Sequence, residues 1–168
     1  LNENIRHMAD VLAGHGYVVF AVDLYDGRVA TNSSEAAELS GEVRNDPDAA
    51  VAKMRNATAG LRALQYTTEQ VASLGWCFGG GQSLQLSLSE ADLNATVVYY
   101  GTLTTDREAL QRVDGPVLGV FGAEDQVVDV ETVREFERTL TDLGVETEIH
   151  VYEGAGHAFA NPSGEQFH

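Results

Sequence analysis

Lysine, cysteine and proline are all scarce in this sequence, and long apolar runs are missing. Of 168 residues only 10 are basic, against 26 acidic ones, for a formal charge of −16. Lys53 is the sole lysine. A chain this acidic carries no basic face for a nucleic acid, so none is expected as a partner. No apolar stretch approaches the roughly 20 residues of a bilayer crossing, and no membrane partner is expected either. The opening Leu1-Asn2-Glu3-Asn4-Ile5-Arg6 has neither the basic region nor the apolar core of a secretory leader. It also lacks an initiator methionine, which leaves room for an upstream segment. One cysteine, Cys77, cannot close an internal disulfide, so the cytoplasm is the expected compartment. The acids are spread along the chain. They read either as an ordinary solvated surface or as adaptation to high salt, where screening quenches self-repulsion.

What is present is 43% hydrophobic residues and 17 glycines, which suits one α/β domain over residues 1–168. Strand-like apolar runs alternate with helical patterns, the mark of a mostly parallel sheet covered by helices in three α/β/α layers. Ile5, Met8, Ala9 and Leu12 form one helical stripe that stops near Gly14 and Gly16. Tyr17 to Val22 reads as a buried strand, and the polar stretch from Arg28 to Asn45 as a mobile loop or a short excursion over the site. Asp46-Pro47 opens a helix with Val51, Met54, Leu61 and Leu64 on its core face. Val71 to Trp76, Ala95 to Tyr100, Pro116 to Phe121 and Val145 to Tyr152 read as further strands. The segment after Cys77 alternates at Leu84, Leu86 and Leu88 like a strand. It is assigned to a helix because a helix covered on most sides need not be amphipathic. Val130, Val133, Phe136, Leu140 and Leu143 mark a last helix that ends at Gly144.

Chemistry concentrates at Gly75-Trp76-Cys77-Phe78-Gly79-Gly80. This is Gly-x-nucleophile-x-Gly between a strand and a helix, with glycine expected at 75 and 79 because the two backbones pass too close for a Cβ. The turn sets Cys77 at a helix N-terminus, whose dipole favours thiolate. It also aims the Phe78 N–H at the oxygen of a carbonyl under attack. Asp125 follows the fourth strand of this reading and His157 the fifth. Nucleophile, acid and histidine thus come in the order that such a fold demands, each at a strand's carboxyl end. His157 would move the proton of Cys77, and Asp125 would fix the tautomer of His157. The glycines lack both Gly-x-Gly-x-x-Gly and the Lys-Ser/Thr of a phosphate loop. His7, His15 and His150 show no metal-ligand spacing, and no metal or cofactor is expected. Tyr99-Tyr100 ends a strand near the site, where Tyr100 serves as a substrate wall or as core. Trp76 is expected to be mainly core.

Gly-Trp-Cys-Phe-Gly-Gly, Gly-Ala-Glu-Asp-Gln-Val-Val and Gly-Ala-Gly-His-Ala-Phe-Ala-Asn resemble the three catalytic motifs of the dienelactone hydrolase family, within the α/β-hydrolase fold. Val-Asp-Leu-Tyr-Asp-Gly resembles the family's stretch ahead of its nucleophile. The resemblance implies a hydrolase for short or activated esters or lactones, working through an acyl-cysteine on Cys77, His157 and Asp125. A thioesterase or acyltransferase would use the same residues, and an inactive remnant would serve as a binding or assembly module. The family has strands ahead of the position of Leu1, the last of which bears a glutamate that tunes the cysteine and is followed by a second oxyanion donor. It also has a C-terminal helix beyond the position of His168. Where dienelactone hydrolases proper carry an arginine for the substrate carboxylate, this chain has Asn161, a candidate substrate contact alongside Trp76 and Tyr100. The absent strand would leave a gap between Tyr17–Val22 and Val71–Trp76. Direct closure would give five parallel strands in chain order, and borrowing from a neighbour would give a homodimer or higher homo-oligomer.

Overall fold

The computed structural model describes residues 3–162. The chain groups into two compact units, residues 1–69 and residues 70–168. No described helix is long and apolar enough to cross a membrane.

The first unit is helical. α1 spans Glu3–Gly14, α2 Ser33–Asn45 and α3 Pro47–Arg62, and α2 packs on α3. The sequence reading of Arg28–Asn45 as a loop is corrected by α2. Its start was encoded in Thr-Asn-Ser-Ser-Glu. The Asn32 side chain accepts from the Glu35 N–H at 2.9 Å, while the Glu35 carboxylate accepts from the Thr31 N–H at 2.7 Å. This is a reciprocal cap of the kind that satisfies first-turn donors. Asp46 caps α3 in turn, accepting from the Ala49 N–H at 3.2 Å ahead of Pro47. The buried stripe of α3 is Ala50, Met54 and Thr58, an i, i+4, i+8 row rotated slightly from the expected one. Asp23 folds the preceding turn by accepting from the N–H groups of Tyr25 and Gly27 at 2.9 and 2.6 Å. Those two bonds, Tyr25 first, hold its carboxyl below the usual range. Arg28, the residue after that turn, pairs with Glu42 of α2.

Tyr17–Val22 is not a strand. Valine and aromatic residues favour extended backbone, but a strand exists only through a partner's ladder, and no described pairing includes this run. Tyr17 and Phe20 remain 66% and 58% exposed.

The second unit is a parallel α/β sheet. β1 is Ala72–Trp76, α4 Phe78–Ser87, β2 Ala95–Tyr99, α5 Arg107–Leu110, β3 Val117–Gly122, α6 Val130–Asp142 and β4 Thr147–Tyr152. The strands lie in the order β1-β2-β3-β4, so among the described residues the sheet has four strands rather than five. Every pairing is parallel. Since parallel crossovers are right-handed and the order never reverses, α4, α5 and α6 fall on one face. α4 packs on β1 and β2, and α6 on β3 and β4. Leu84, Leu86 and Leu88 are all buried, which explains the strand-like pattern in a helix covered on several sides. The core between helices and sheet is Leu84, Val98, Val117, Phe121, Val133, Phe136 and Leu140, each at most 1% exposed.

Hydroxyls line the α4 side of that core. Ser73 and Ser83 share a 2.7 Å hydrogen bond, but the Thr96 and Ser87 hydroxyls are buried without a partner. An unmet buried hydroxyl costs about 1–3 kcal/mol. Thr96→Val keeps the shape and removes the orphan, so it should raise stability by about 1 kcal/mol. Urea unfolding should show a higher midpoint at an unchanged slope. A lower midpoint would mean that the hydroxyl is bonded in solution.

Candidate active site

Four parallel strands in chain order bring their carboxyl ends to one edge, and every sequence-predicted catalytic residue leaves from that edge. Cys77 follows Trp76 of β1, Asp125 lies three residues past β3, and His157 lies five residues past β4.

Cys77 occupies the turn from β1 into α4 with φ 52° and ψ −117°, a left-handed conformation that costs a non-glycine residue energy. Its N–H donates to the Tyr99 carbonyl at 2.9 Å and its carbonyl accepts from the Gly81 N–H at 3.2 Å, so both sides of the strained residue are tied. The glycine requirement is met as expected at Gly75, where a Cβ would lie 2.0 Å from the Gly79 carbonyl oxygen. On the helix side the crowded position is Gly80 rather than Gly79. A Cβ on Gly80 would come within 2.8 Å of the Tyr99 oxygen, whereas one on Gly79 meets nothing within 4 Å. The side chain of Cys77 is left exposed, and Phe78 begins α4.

Asp125 is held from below. Its Oδ1 accepts from the N–H groups of Val127 and Val128 at 2.7 and 3.0 Å, and its side chain is fully buried. Oδ2 lies 2.9 Å from His157 Nδ1. An ionised carboxylate only accepts, so Nδ1 carries the proton and Nε2 is free to take one. Nε2 sits 3.1 Å from the Cys77 sulfur. The loops that carry Asp125 and His157 are stitched together, with the Ala123 N–H on the Tyr152 carbonyl and the Glu124 N–H on the Ala155 carbonyl, both at 2.9 Å.

The remaining candidates fall elsewhere. Trp76 is half-buried and meets Tyr99 of β2 at 5.6 Å between ring centroids, as their register on one sheet face requires. Tyr100 is 2% exposed and lies in the core behind His157, which leaves it no solvent-facing wall to offer. Asn161 is half-buried, its N–H on the Ala158 carbonyl at 2.8 Å. His150 pairs with Glu148 at 2.6 Å on the exposed side of β4, and His7 and His15 are exposed in the first unit. No three His, Cys, Asp or Glu side chains among the described residues gather as a metal-holding group. Sequence reasoning missed the two N–H groups under Asp125 and the contact of Tyr100 with His157. The first was signalled by an Asp two residues before paired valines that open no strand. The second had no signal beyond the position of Tyr100 at a strand end.

The dienelactone hydrolase family model matches residues 1–168. A protein of Saccharolobus solfataricus named after carboxymethylenebutenolidase is 28% identical over 202 aligned positions, covering 99% of this chain and 78% of its own length. Protein usf of Aquifex pyrophilus is 28% identical, covering 96% of this chain and 71% of its own length. The solved structure named m3DLH superposes with a TM-score of 0.85 at 32% identity, covering 97% of this chain and 69% of that one. A dienelactone hydrolase-like promiscuous phosphotriesterase from metagenomic libraries superposes at 0.88 with 24% identity, covering 99% and 71%, a likeness of fold.

The elbow makes a paired prediction. Gly75→Ala should cost about 3 kcal/mol or more, because a backbone oxygen cannot step aside for the new methyl. Gly79→Ala should leave stability unchanged or raise it by up to about 1 kcal/mol. Equal unfolding midpoints for the two variants would show that the strand and helix are not in contact there.

Proposed function

Because this chain belongs to the dienelactone hydrolase family, we propose that it hydrolyses short or activated carboxylic esters or lactones with Cys77 as nucleophile. The observation that carries this reading is the unbroken chain Cys77 Sγ, His157 Nε2, His157 Nδ1, Asp125 Oδ2, with contacts of 3.1 and 2.9 Å. His157 takes the thiol proton and the sulfur attacks the carbonyl carbon. The carbonyl oxygen gains the negative charge, facing the N-terminus of α4, where the Phe78 N–H is the proposed donor. As the tetrahedral intermediate collapses, the C–O bond to the alcohol breaks and the imidazolium returns its proton to the departing oxygen. This leaves a thioester on Cys77. Water then gives a proton to His157 and attacks the thioester, which releases the carboxylic acid and restores the thiol. Asp125 stays ionised and supports the imidazolium throughout.

An assay with p-nitrophenyl acetate tests this directly. Turnover should vanish in Cys77→Ala and fall by at least about 1,000-fold in His157→Ala. Retained turnover in Cys77→Ala would sink the reading, and rapid turnover of an alkyl thioester alone would move the substrate class to thioesters.

We also propose that the chain works as a homo-oligomer. Tyr17, Val18, Val19 and Phe20 are consecutive and all at least 37% exposed, and a contiguous apolar run of this kind favours association where scattered apolar residues do not. Light scattering across a dilution series should show a falling mass. A monomer at every concentration, with full activity, overturns it.

A further inference from the structure

Asp125 alone does not fix the His157 ring. One hydrogen bond at Nδ1 leaves the imidazole able to swing about that contact, and a swing carries Nε2 away from the sulfur. A second contact on the ring is needed, and Tyr100 supplies it. Its ring meets His157 edge-on, with centroids 5.3 Å apart and planes at 63°, and meets Phe159 in the same way at 5.5 Å and 62°. Its hydroxyl lies toward the backbone N–H of Ala160, which acts to lower the hydroxyl's pKa. One side chain thus reaches three residues of the four-residue run from His157 to Ala160. The fourth, Ala158, is buried in the same core with φ 60°. Tyr100 is itself tightly placed. It is 2% exposed, has φ 36°, and donates its N–H to the Val120 carbonyl at 2.8 Å. Strain accepted at a buried residue persists where surrounding contacts over-determine it.

Resting on the reading of Cys77 and His157 as nucleophile and base, we propose that Tyr100 is a positioning residue. Its ring edge fixes the His157 plane and its hydroxyl anchors the loop at Ala160, and together they aim Nε2 at the Cys77 sulfur. The hydroxyl transfers no proton in the reaction. Burial, and after it the charge of Cys77, push it up to about 12, so it stays protonated in the working range.

The test compares wild type with Tyr100→Phe and Tyr100→Leu in three measurements: kcat and KM on p-nitrophenyl acetate, the rate of Cys77 alkylation by iodoacetamide at neutral pH, and the urea midpoint. The Leu variant, which loses both contacts, should lose about 100-fold in kcat with KM nearly unchanged, the scale of a misplaced reacting group. Its alkylation should slow by about tenfold toward that of an unassisted thiol. The Phe variant keeps the ring and its volume and should fall about fivefold in kcat, again at constant KM. A lower urea midpoint with wild-type kcat and alkylation would make Tyr100 merely structural and overturn the proposal. So would a Phe variant equal to wild type in both rates, a result that decides the matter even if the Leu variant does not fold. If wild type turns over no ester yet its cysteine alkylates fast, the hydrolase reading fails, and the alkylation series still decides the role of Tyr100.

Discussion

A Cβ on Gly75 would lie 2.0 Å from the Gly79 carbonyl oxygen, so β1 and the first turn of α4 meet at a distance that only backbone can occupy. The rest of the site depends on that approach. It compels a reversal within one residue, and the residue that makes it, Cys77, takes φ 52°. A side chain on such a turn has no neighbour above it and stands out from the sheet edge. The same closeness brings the start of α4 against the end of β2, where the Cys77 N–H binds the Tyr99 carbonyl. Cys77 is therefore registered to the second strand as well as to the first.

From that point the topology does the assembling. Parallel strands in unbroken order present their carboxyl ends along one line, and each connecting loop needs only a few residues to reach its neighbour. Asp125 and His157 arrive from adjacent strands, β3 and β4, whose loops are joined by two backbone hydrogen bonds. The 2.9 Å contact between their side chains is thus set mainly by backbone pairing. The longer reach is from His157 after β4 back to Cys77 after β1, across the ends of β2 and β3, and just past β2 stands Tyr100. Beside the 3.1 Å contact of His157 with Cys77, the Tyr100 ring packs edge-on against the imidazole.

Much of this was legible from residues alone. The glycine-flanked cysteine, the order of Cys77, Asp125 and His157, and four of the strands each carry a local signal strong enough to read, because strand ends and tight turns leave few residue choices. Tyr17–Val22 was misread since its valines and aromatics state a preference for extended backbone, while only a partner's ladder makes a strand. α2 was missed because its polar composition resembles a loop, and its information lay in the Asn32–Glu35 cap rather than in periodicity. The role of Gly79 was misassigned for a related reason. Sequence shows that a glycine is present, but which of three adjacent glycines is crowded depends on where the neighbouring backbone runs. Contacts such as that of Tyr100 with His157 join residues 57 positions apart, and no short-range pattern records them.

The three side chains proposed to react also form a gradient of exposure, and that gradient matches the role proposed for each. Asp125 is fully covered, its side chain at 0%, and a buried carboxylate is costly unless paired and hydrogen-bonded. Two backbone N–H groups and the imidazole supply those partners. The carboxylate itself is out of reach of solvent, so water does not compete for it. His157, with its side chain at 15%, is covered enough to be held and open enough to meet a water molecule. Cys77 is exposed, as the proposed role of nucleophile for a substrate arriving from solution requires. Reversing the order would defeat the arrangement. A buried cysteine would have no access, and an exposed aspartate would lose its hold on the tautomer to solvent. The gradient follows from the loops, since Asp125 is held on the valine N–H groups of its own loop while the elbow leaves Cys77 exposed.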